Sequence, residues 1–268
     1  MPDIFWAMLG VEVAQSAETE GRSGVLMIAL AAVVLGATLQ RASGTGVGLV
    51  VAPVLALLYG PAHGVLLTNV TTTVSGFLLT LTARRQVDWS AYRSIAVWSL
   101  PGACVGAILV KELTENILQI AVGTIVLASL LTSMVIPQLP HLQGAWTRRA
   151  AGLIGGTFNT TAGVAAPAMV AYANVSRWGQ ASFAATMQPT FMTMGFVSVV
   201  LKSFVLPVDG GGLPPWWVLP SLGAAVALGS ALGVALAHRI SGEAALHVAV
   251  CLALAGGLLV LARGLGWA

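Results

Sequence analysis

The sequence predicts an all-α polytopic membrane protein made of two inverted repeats, each a broken or re-entrant short helix pair plus three transmembrane helices. Three observations predict this class. Of the residues, 57% are hydrophobic and only 8% are charged. Several apolar runs reach the roughly 20 residues that a membrane-spanning helix needs. Similar segments also recur at one fixed offset. Soluble domains are about a quarter charged, so the composition excludes a soluble fold.

The repeat is visible as four pairs of similar segments, all separated by 119 residues, the distance from Gly36 to Gly155. The segments that begin at these two glycines are apolar stretches that end in a glycine-rich, polar tip. The other pairs are Asn69-Val70-Thr71 with Gln188-Pro189-Thr190, Gly76-Phe77 with Gly195-Phe196, and Trp98-x-x-Pro101 with Trp217-x-x-Pro220. Glycine-broken segments at equivalent places in two halves of a membrane chain indicate a transporter binding site between the repeats.

The chain divides into four parts. We expect an extracytoplasmic N-terminal arm over residues 1–23, a first repeat over 24–136, a cytoplasmic linker over 137–149 and a second repeat over 150–268. The short pairs are Gly24–Leu39 with Val47–Gly60, and Ala150–Phe158 with Val164–Ala173. The full spans are Gly64–Ala83, Ser94–Val110, Ile117–Ile136, Ala181–Leu206, Trp216–Ala237 and Ala244–Ala262. The second short pair falls below spanning length, so we expect half-helices that fold back at mid-depth, with tilted short spans as the alternative.

The distribution of basic residues predicts the orientation. Either form of the short pairs gives each half an odd number of crossings, so the two halves are predicted to be inverted. Cytoplasmic loops are enriched in Lys and Arg. With the loop at Arg84, Arg85 and Arg93 placed inside, seven basic residues lie inside and three outside. The N-terminus is then extracytoplasmic.

Polar residues at the breaks and in the neighbouring spans are the candidate substrate ligands. Gln40 and Asn159 occupy equivalent positions at the two breaks, and Asn69 and Gln188 form a second equivalent pair. We expect Gln40 to approach Asn159, and Asn69 to approach Gln188, across one cavity. The whole candidate set is Gln40, Arg41, Ser43, Thr45, Asn69, Thr72, Asn159, Thr160, Thr161, Gln188 and Thr190. The alternative role of these groups is hydrogen bonding between helices.

The breaks also suit an anion through their backbone. The returning helices are predicted to start at Val47 and Val164, where free N–H groups and the positive end of the helix dipole attract negative charge. The alternative is that the glycines only allow close helix crossing. Arg41 compensates substrate charge if the first pair is re-entrant, and lies at the inner interface if Gly24–Leu39 spans the membrane.

Several absences narrow the function. None of the nine acidic residues falls in the core of a predicted span, so no carboxylate proton relay is visible. No cluster has metal-ligand spacing, and no nucleophile–base pair stands out. We therefore expect no cofactor, no metal, no nucleic-acid partner and no enzymatic activity. Lys202, in the last third of its span, is expected to extend to the outer interface.

The segment Gly44-Thr45-Gly46-Val47-Gly48-Leu49-Val50-Val51-Ala52-Pro53 is similar to the G-x-G-G-G-x-x-x-x-P signature of the TauE/SafE sulfite exporter family, also called the toluene-sulfonate uptake permease family. The similarity continues through Arg84-Arg85-Gln86-Val87-Asp88-Trp89 and returns at Gly155-Gly156 and Gly163-Val164-Ala165-Ala166-Pro167. The resemblance implies a secondary transporter or exporter of small sulfur-containing anions (sulfite, sulfonate or a sulfo-organic acid) in the bacterial inner membrane.

Other functions stay open at this point. They are a passive anion channel, a transporter of another small organic anion and a non-transporting membrane subunit. The expected partners are a small anionic substrate and the lipid bilayer, with a homo-oligomer as one alternative. The sequence leaves the anion, the direction of transport and the coupling ion undetermined.

The predicted orientation can be tested by labelling single cysteines after Cys104 and Cys251, which lie in predicted spans, are replaced by alanine. A cysteine in the Val208–Pro214 loop is expected to react with an impermeant thiol reagent added outside intact cells, and one at Gln86 is not. The reverse pattern would contradict the orientation, and labelling of both from one side would contradict the inversion.

Overall fold

The computed structural model describes residues 23–41, 47–135, 144–206, 217–236 and 241–267. Within these ranges the chain forms helices and no strand. The helices are α1 (Ser23–Arg41), α2 (Gly48–Ala83), α3 (Trp89–Glu112), α4 (Glu115–Val135), α5 (Ala145–Ala162), α6 (Ala166–Ser176), α7 (Gln180–Val205), α8 (Val218–Leu236) and α9 (Gly242–Gly264). The predicted all-helical class is confirmed.

Seven of the helices in the described ranges are long and apolar enough to cross a membrane: α1, α2, α3, α4, α7, α8 and α9. Helices α5 and α6 are outside this set, and they coincide with the short pair predicted for the second repeat. Large apolar side chains such as Leu254, Leu258 and Leu259 on α9 are exposed, as expected for a surface in contact with lipid. These features confirm a polytopic membrane protein.

The first repeat differs from its predicted short pair. Helix α1 has 19 residues and a mean hydropathy of 2.0, so its length and composition allow a full crossing. Helix α2 joins the predicted segments Val47–Gly60 and Gly64–Ala83 through a kink at Gly60, whose φ of 76° and ψ of 162° only glycine adopts readily. Pro61 follows directly and has no N–H to donate. The second repeat breaks at a similar place, because Arg177 ends α6 in the left-handed conformation.

Helix α5 begins earlier than predicted. It starts at Ala145, inside the expected linker, and therefore includes Arg148 and Arg149. The Arg149 guanidinium lies 5.5 Å from the ring centroids of both Trp98 and Trp146. Cation–π contacts of this kind stabilise a charge next to apolar surface, which explains how a basic pair fits near the start of a helix whose later residues are partly buried.

The duplication reappears in the crossing of α2 and α7. A Cβ atom on Gly76 would lie 2.7 Å from the Gln188 carbonyl oxygen, and one on Gly195 would lie 2.8 Å from the Asn69 carbonyl oxygen. Gly76 and Gly195 are 119 residues apart, as are Asn69 and Gln188. The contact of Gly76 with Gln188 and the contact of Gly195 with Asn69 are therefore equivalent in the two repeats. The helices cross at a distance that only glycine permits, as small residues allow in membrane proteins.

A second pair of equivalent contacts shows that one of the four predicted segment pairs, the Trp98 and Trp217 motifs, is wrongly aligned. The Thr38 hydroxyl donates to the Gly229 carbonyl at 3.0 Å, and the Thr157 hydroxyl donates to the Gly102 carbonyl at 3.0 Å. The threonines are 119 residues apart, whereas the glycines are 127 apart. The Trp98 and Trp217 motifs are thus out of register by about two helical turns. The reason is the connection before α8, which has twelve residues where the connection before α3 has five. The inverted orientation stays a prediction.

Lys202 does not reach the surface as predicted. Its side chain is fully buried, and its Nζ has no hydrogen-bond partner among the described residues. Lys202 follows Ser198 by four residues and Gln188 by fourteen, so all three lie near one face of α7. That face packs against α2 and not against lipid, which keeps the side chain from extending outward.

The α2–α7 crossing can be tested with Gly195→Ala. The added methyl group would lie 2.6 Å from the Thr73 hydroxyl oxygen, so the helices must separate at a cost of about 1–3 kcal/mol. We expect the midpoint of thermal unfolding in detergent to fall by about 2 °C or more. Gly223→Ala in α8 is the matched control, since a Cβ there meets nothing within 4 Å. Equal midpoints for the two variants would contradict the close crossing.

Candidate functional site

The two halves meet where α5 ends and α2 begins. Gly163 terminates α5 in the left-handed conformation, with φ of 74° and ψ of 8°, and its N–H donates to the Asn159 carbonyl at 2.8 Å. This is the usual glycine C-cap of a helix. The Gly163 carbonyl then packs against Gly48, where a Cβ would collide with it. Glycine is therefore required at position 48 for the breaks to approach one another.

Helix N-termini from both halves lie at this meeting point. Neither α2, preceded by Val47, nor α6, preceded by Ala165, has a side-chain cap. A cavity of about 20 Å³ lies between them, lined by Gly48, Leu49, Thr72, Asn159, Gly163, Val164, Ala165, Ala166 and Phe191. The N-terminus of a helix carries N–H groups without an intrahelical partner and the positive end of the helix dipole, although Pro167 removes one N–H group from α6. Their convergence on one cavity agrees with the returning helices predicted from the sequence.

Four amide side chains connect the halves in two pairs. Gln40 Nε2 donates to Gln188 Oε1 at 3.4 Å, and Asn159 Nδ2 donates to Asn69 Oδ1 at 3.1 Å. All four residues are buried. Gln40 is equivalent to Asn159 in the repeat, and Gln188 is equivalent to Asn69, so the repeat converts the first pair into the second. The two amide pairs are thus equivalent in the two repeats, as the two glycine contacts are.

The pairing differs from the predicted one, because Gln40 contacts Gln188 and not Asn159, and Asn69 contacts Asn159 and not Gln188. The reason is the position of the α2–α7 crossing. Gly76 packs on the Gln188 backbone and Gly195 on the Asn69 backbone. Asn69 and Gln188 therefore lie on opposite sides of the crossing, separated by about seven residues, or roughly 10 Å along the helix axis.

The amide nitrogens retain hydrogen-bonding capacity. Asn69 Nδ2 donates to the Ser198 hydroxyl at 2.6 Å, and Gln188 Nε2 donates to the Ala184 carbonyl at 3.1 Å. An amide nitrogen carries two protons, and each of the four uses one in the hydrogen bonds of the described residues. Gln40 Oε1 has no partner there. Among the described residues, the two pairs therefore have four N–H donors without a partner and contain no ionised group.

A pocket of about 230 Å³ gives access to the Gln40–Gln188 pair, and Arg41, Thr82 and Gln86 also line it. Arg41 is exposed and its Nη1 donates to the Thr82 hydroxyl at 3.4 Å. The guanidinium therefore lies at the mouth of the pocket, which agrees with the alternative in which α1 spans the membrane. The role of Arg41 in compensating substrate charge stays a prediction.

The candidate hydroxyl groups divide by location. Thr72 lines the small cavity between the helix N-termini. Thr160 and Thr161 face Gly106 of α3, and their hydroxyl oxygens are buried without a partner in the described part of the chain. Thr190 donates to the Thr186 carbonyl at 2.7 Å beside Pro189. Ser43 and Thr45 lie outside the described residues.

Sequence reasoning missed a second polar pocket, of about 410 Å³, near the N-terminus of α3. It is lined by Asp88, Ala91, Gly144, Arg148, Tyr172, Ser176, Arg177, Trp178 and Gly179. Arg148 Nε donates to the Tyr172 hydroxyl at 3.2 Å, and Asp88 caps α3 by accepting from the Ser90 and Ala91 N–H groups. In the sequence analysis, Arg148 and Arg177 contributed only to the count of basic residues that predicts the orientation. No pattern in the sequence indicated that they lie near one pocket. No group of three or more metal-ligating side chains occurs in the described ranges.

Comparison with known proteins supports one family. The model of the sulfite exporter TauE/SafE family matches residues 28–260, which is nearly the whole chain. Comparisons with curated proteins and with solved structures gave no match. The matched range contains both helix breaks, the four paired amides and all seven candidate membrane spans except the first residues of α1 and the last of α9. The chain belongs to the sulfite exporter TauE/SafE family of membrane transporters.

Proposed function

We propose that this protein is a secondary transporter that moves a small sulfur-containing anion across the bacterial inner membrane, with its N-terminus outside the cytoplasm. The anion binds between the two repeats, close to Asn69, Asn159, Gln40 and Gln188. The observation that carries this proposal is the set of unused N–H donors. Two helix N-termini without side-chain caps and two buried amide pairs supply them without an ionised group.

The chemistry of the cluster favours an anion over a cation. A desolvated anion needs hydrogen-bond donors, and here the unused groups are mostly N–H. Neutral amides cost less to bury in a membrane than ionised side chains do. Helix N-termini add partial positive charge without an ionised group. A sulfite or sulfonate group has three oxygens that can each accept hydrogen bonds, which suits several convergent donors.

The small volume of the cavity supports a carrier over an open channel. At about 20 Å³, the space between the N-termini of α2 and α6 is close to the minimum that one water molecule occupies. A larger pocket adjoins Gln40 and Gln188 on the side of the Arg84–Asp88 loop. A sulfur oxyanion therefore enters the inner cavity only when α2 and α7 move relative to α5, as alternating access requires.

Transport itself can be tested in proteoliposomes under argon, which keeps sulfite from oxidising to sulfate. We expect radiolabelled sulfite to enter faster when the vesicles contain unlabelled sulfite, because a carrier exchanges one bound anion for another. Flux without such stimulation would favour a channel. No sulfite or sulfonate flux from well-folded protein would contradict the proposed substrate class.

The site can be tested with Asn69→Ala and Gln188→Ala. Removal of one donor to a bound anion costs about 1.5–3 kcal/mol, which corresponds to roughly tenfold to a hundredfold in affinity. We expect each variant to bind sulfite at least tenfold more weakly in calorimetry. Asn116→Ala is the matched control, because Asn116 is an exposed amide on α4.

Folding must be checked alongside binding, because the same amides join helices. The thermal midpoint of each variant without anion separates lost affinity from lost structure. Unchanged affinity in both amide variants would contradict this placement of the site, and it would support the alternative that the amides only connect helices.

A further inference from the structure

The fully buried Lys202 is the feature that the amide site does not use. It is the largest of the fully buried side chains in the described residues, and its Nζ has no hydrogen-bond partner there. An ammonium group without a partner is costly inside a membrane, so charged residues in such places usually have a functional role. A mobile counter-ion that binds when the group is charged would lower this cost.

A second nitrogen without a partner in the described residues lies on the facing segment of α2. Helices α2 and α7 run antiparallel, since Asn69 contacts Ser198 and Gly76 contacts Met192, so this register brings the segment at His63 beside Lys202. The His63 Nε2 atom is buried without a partner in the described part of the chain, and the charges of Lys202 and Glu115 both act on the His63 ring. Glu115 itself is exposed, so water screens its charge. Apolar residues surround this region, since Ala62 and Leu206 belong to one buried cluster with Val110 and Leu118.

The position of Lys202 relates it to the amide site. Lys202 follows Ser198 by one helical turn, about 6 Å along α7, and Ser198 accepts the hydrogen bond from Asn69. The pocket at Gln40 and Gln188 lies in the opposite direction along the same helix. A substrate that leaves Asn69 away from that pocket therefore meets Lys202 next.

We propose that Lys202 and His63 form a second anion site, one helical turn beyond the Asn69–Asn159 pair, which receives the transported oxyanion on the side opposite the Arg84–Asp88 loop. The proposal rests on the proposed function, because both sites take the same anion. The Lys202 ammonium supplies the charge that the neutral amide cluster lacks. His63 donates a hydrogen bond through Nε2 when that nitrogen carries a proton.

A purely structural role for Lys202 makes a different prediction. Lys202 lies in the last turn of α7, where a positive charge stabilises the negative end of the helix dipole. In that case Lys202→Met lowers the stability of the anion-free protein. A charge that serves to bind an anion gives the opposite sign, because replacement by an apolar side chain of similar length removes a buried ammonium that has no partner among the described residues.

The experiment compares thermal midpoints of purified protein during titration with sodium sulfite, in a background with Asn69→Ala and Gln188→Ala. That background weakens the amide site, so the remaining anion-dependent shift of the thermal midpoint reports anion binding at Lys202. Added Lys202→Met is expected to raise the anion-free midpoint and to weaken the apparent affinity at least tenfold. Lys202→Arg, which keeps the charge, is expected to stay within about threefold of the background. Lys111→Met, which removes an exposed lysine, is the matched control.

A parallel titration with sodium bromide keeps the test independent of the substrate. An unchanged response to both anions in Lys202→Met would overturn the second site, and so would the absence of any anion response in the background. A lowered anion-free midpoint with unchanged affinity would assign Lys202 the structural role. Failure of the proposed function has a different signature, since wild-type protein would then move no sulfite and the two amide substitutions would not change its affinity.

Discussion

The close crossing of α2 and α7 is the constraint on which the rest of the structure depends. Gly76 and Gly195 bring each helix against the backbone of the other, beside Gln188 and Asn69. Because this contact is matched across the repeat, it sets the positions of both amide pairs at once. Larger side chains at the two glycines would separate the helices and disturb both amide pairs.

The breaks at Gly48 and Gly163 solve a second problem, that of irregular backbone in a membrane. Polar backbone groups in the apolar interior are tolerated only where protein or water satisfies them. Here α5 is capped by Gly163, but the first N–H groups of α2 and α6 have no side-chain cap. N–H donors without a protein partner are costly in a membrane, and they become favourable when an anion binds. The same reasoning applies to Lys202, with a full charge in place of partial ones.

Much of this arrangement could be predicted from the sequence, and the exceptions have physical causes. The fixed offset identified Asn69 with Gln188 and Gln40 with Asn159, because repeats preserve chemistry at equivalent positions. It could not give the partners, since contacts depend on where α2 and α7 cross, and equivalent residues lie on opposite sides of that crossing. The predicted equivalence of the Trp98 and Trp217 motifs was wrong, because the longer connection before α8 shifts the packing register of that helix. The prediction that Lys202 extends to the outer interface was wrong, because the helical face of a residue, and not its position along the span, decides whether the side chain contacts lipid or protein.

The proposed oxyanion site lies at the meeting point of the two repeats and consists of neutral N–H donors. Selenite has the shape and charge of sulfite, and its selenium scatters X-rays anomalously. The most direct measurement is therefore an anomalous difference map at the selenium edge from crystals grown with selenite. We expect a peak within hydrogen-bonding distance of Asn69 and Asn159 or of Gln40 and Gln188. Selenium peaks found only at exposed arginines, with none between the repeats, would contradict the account.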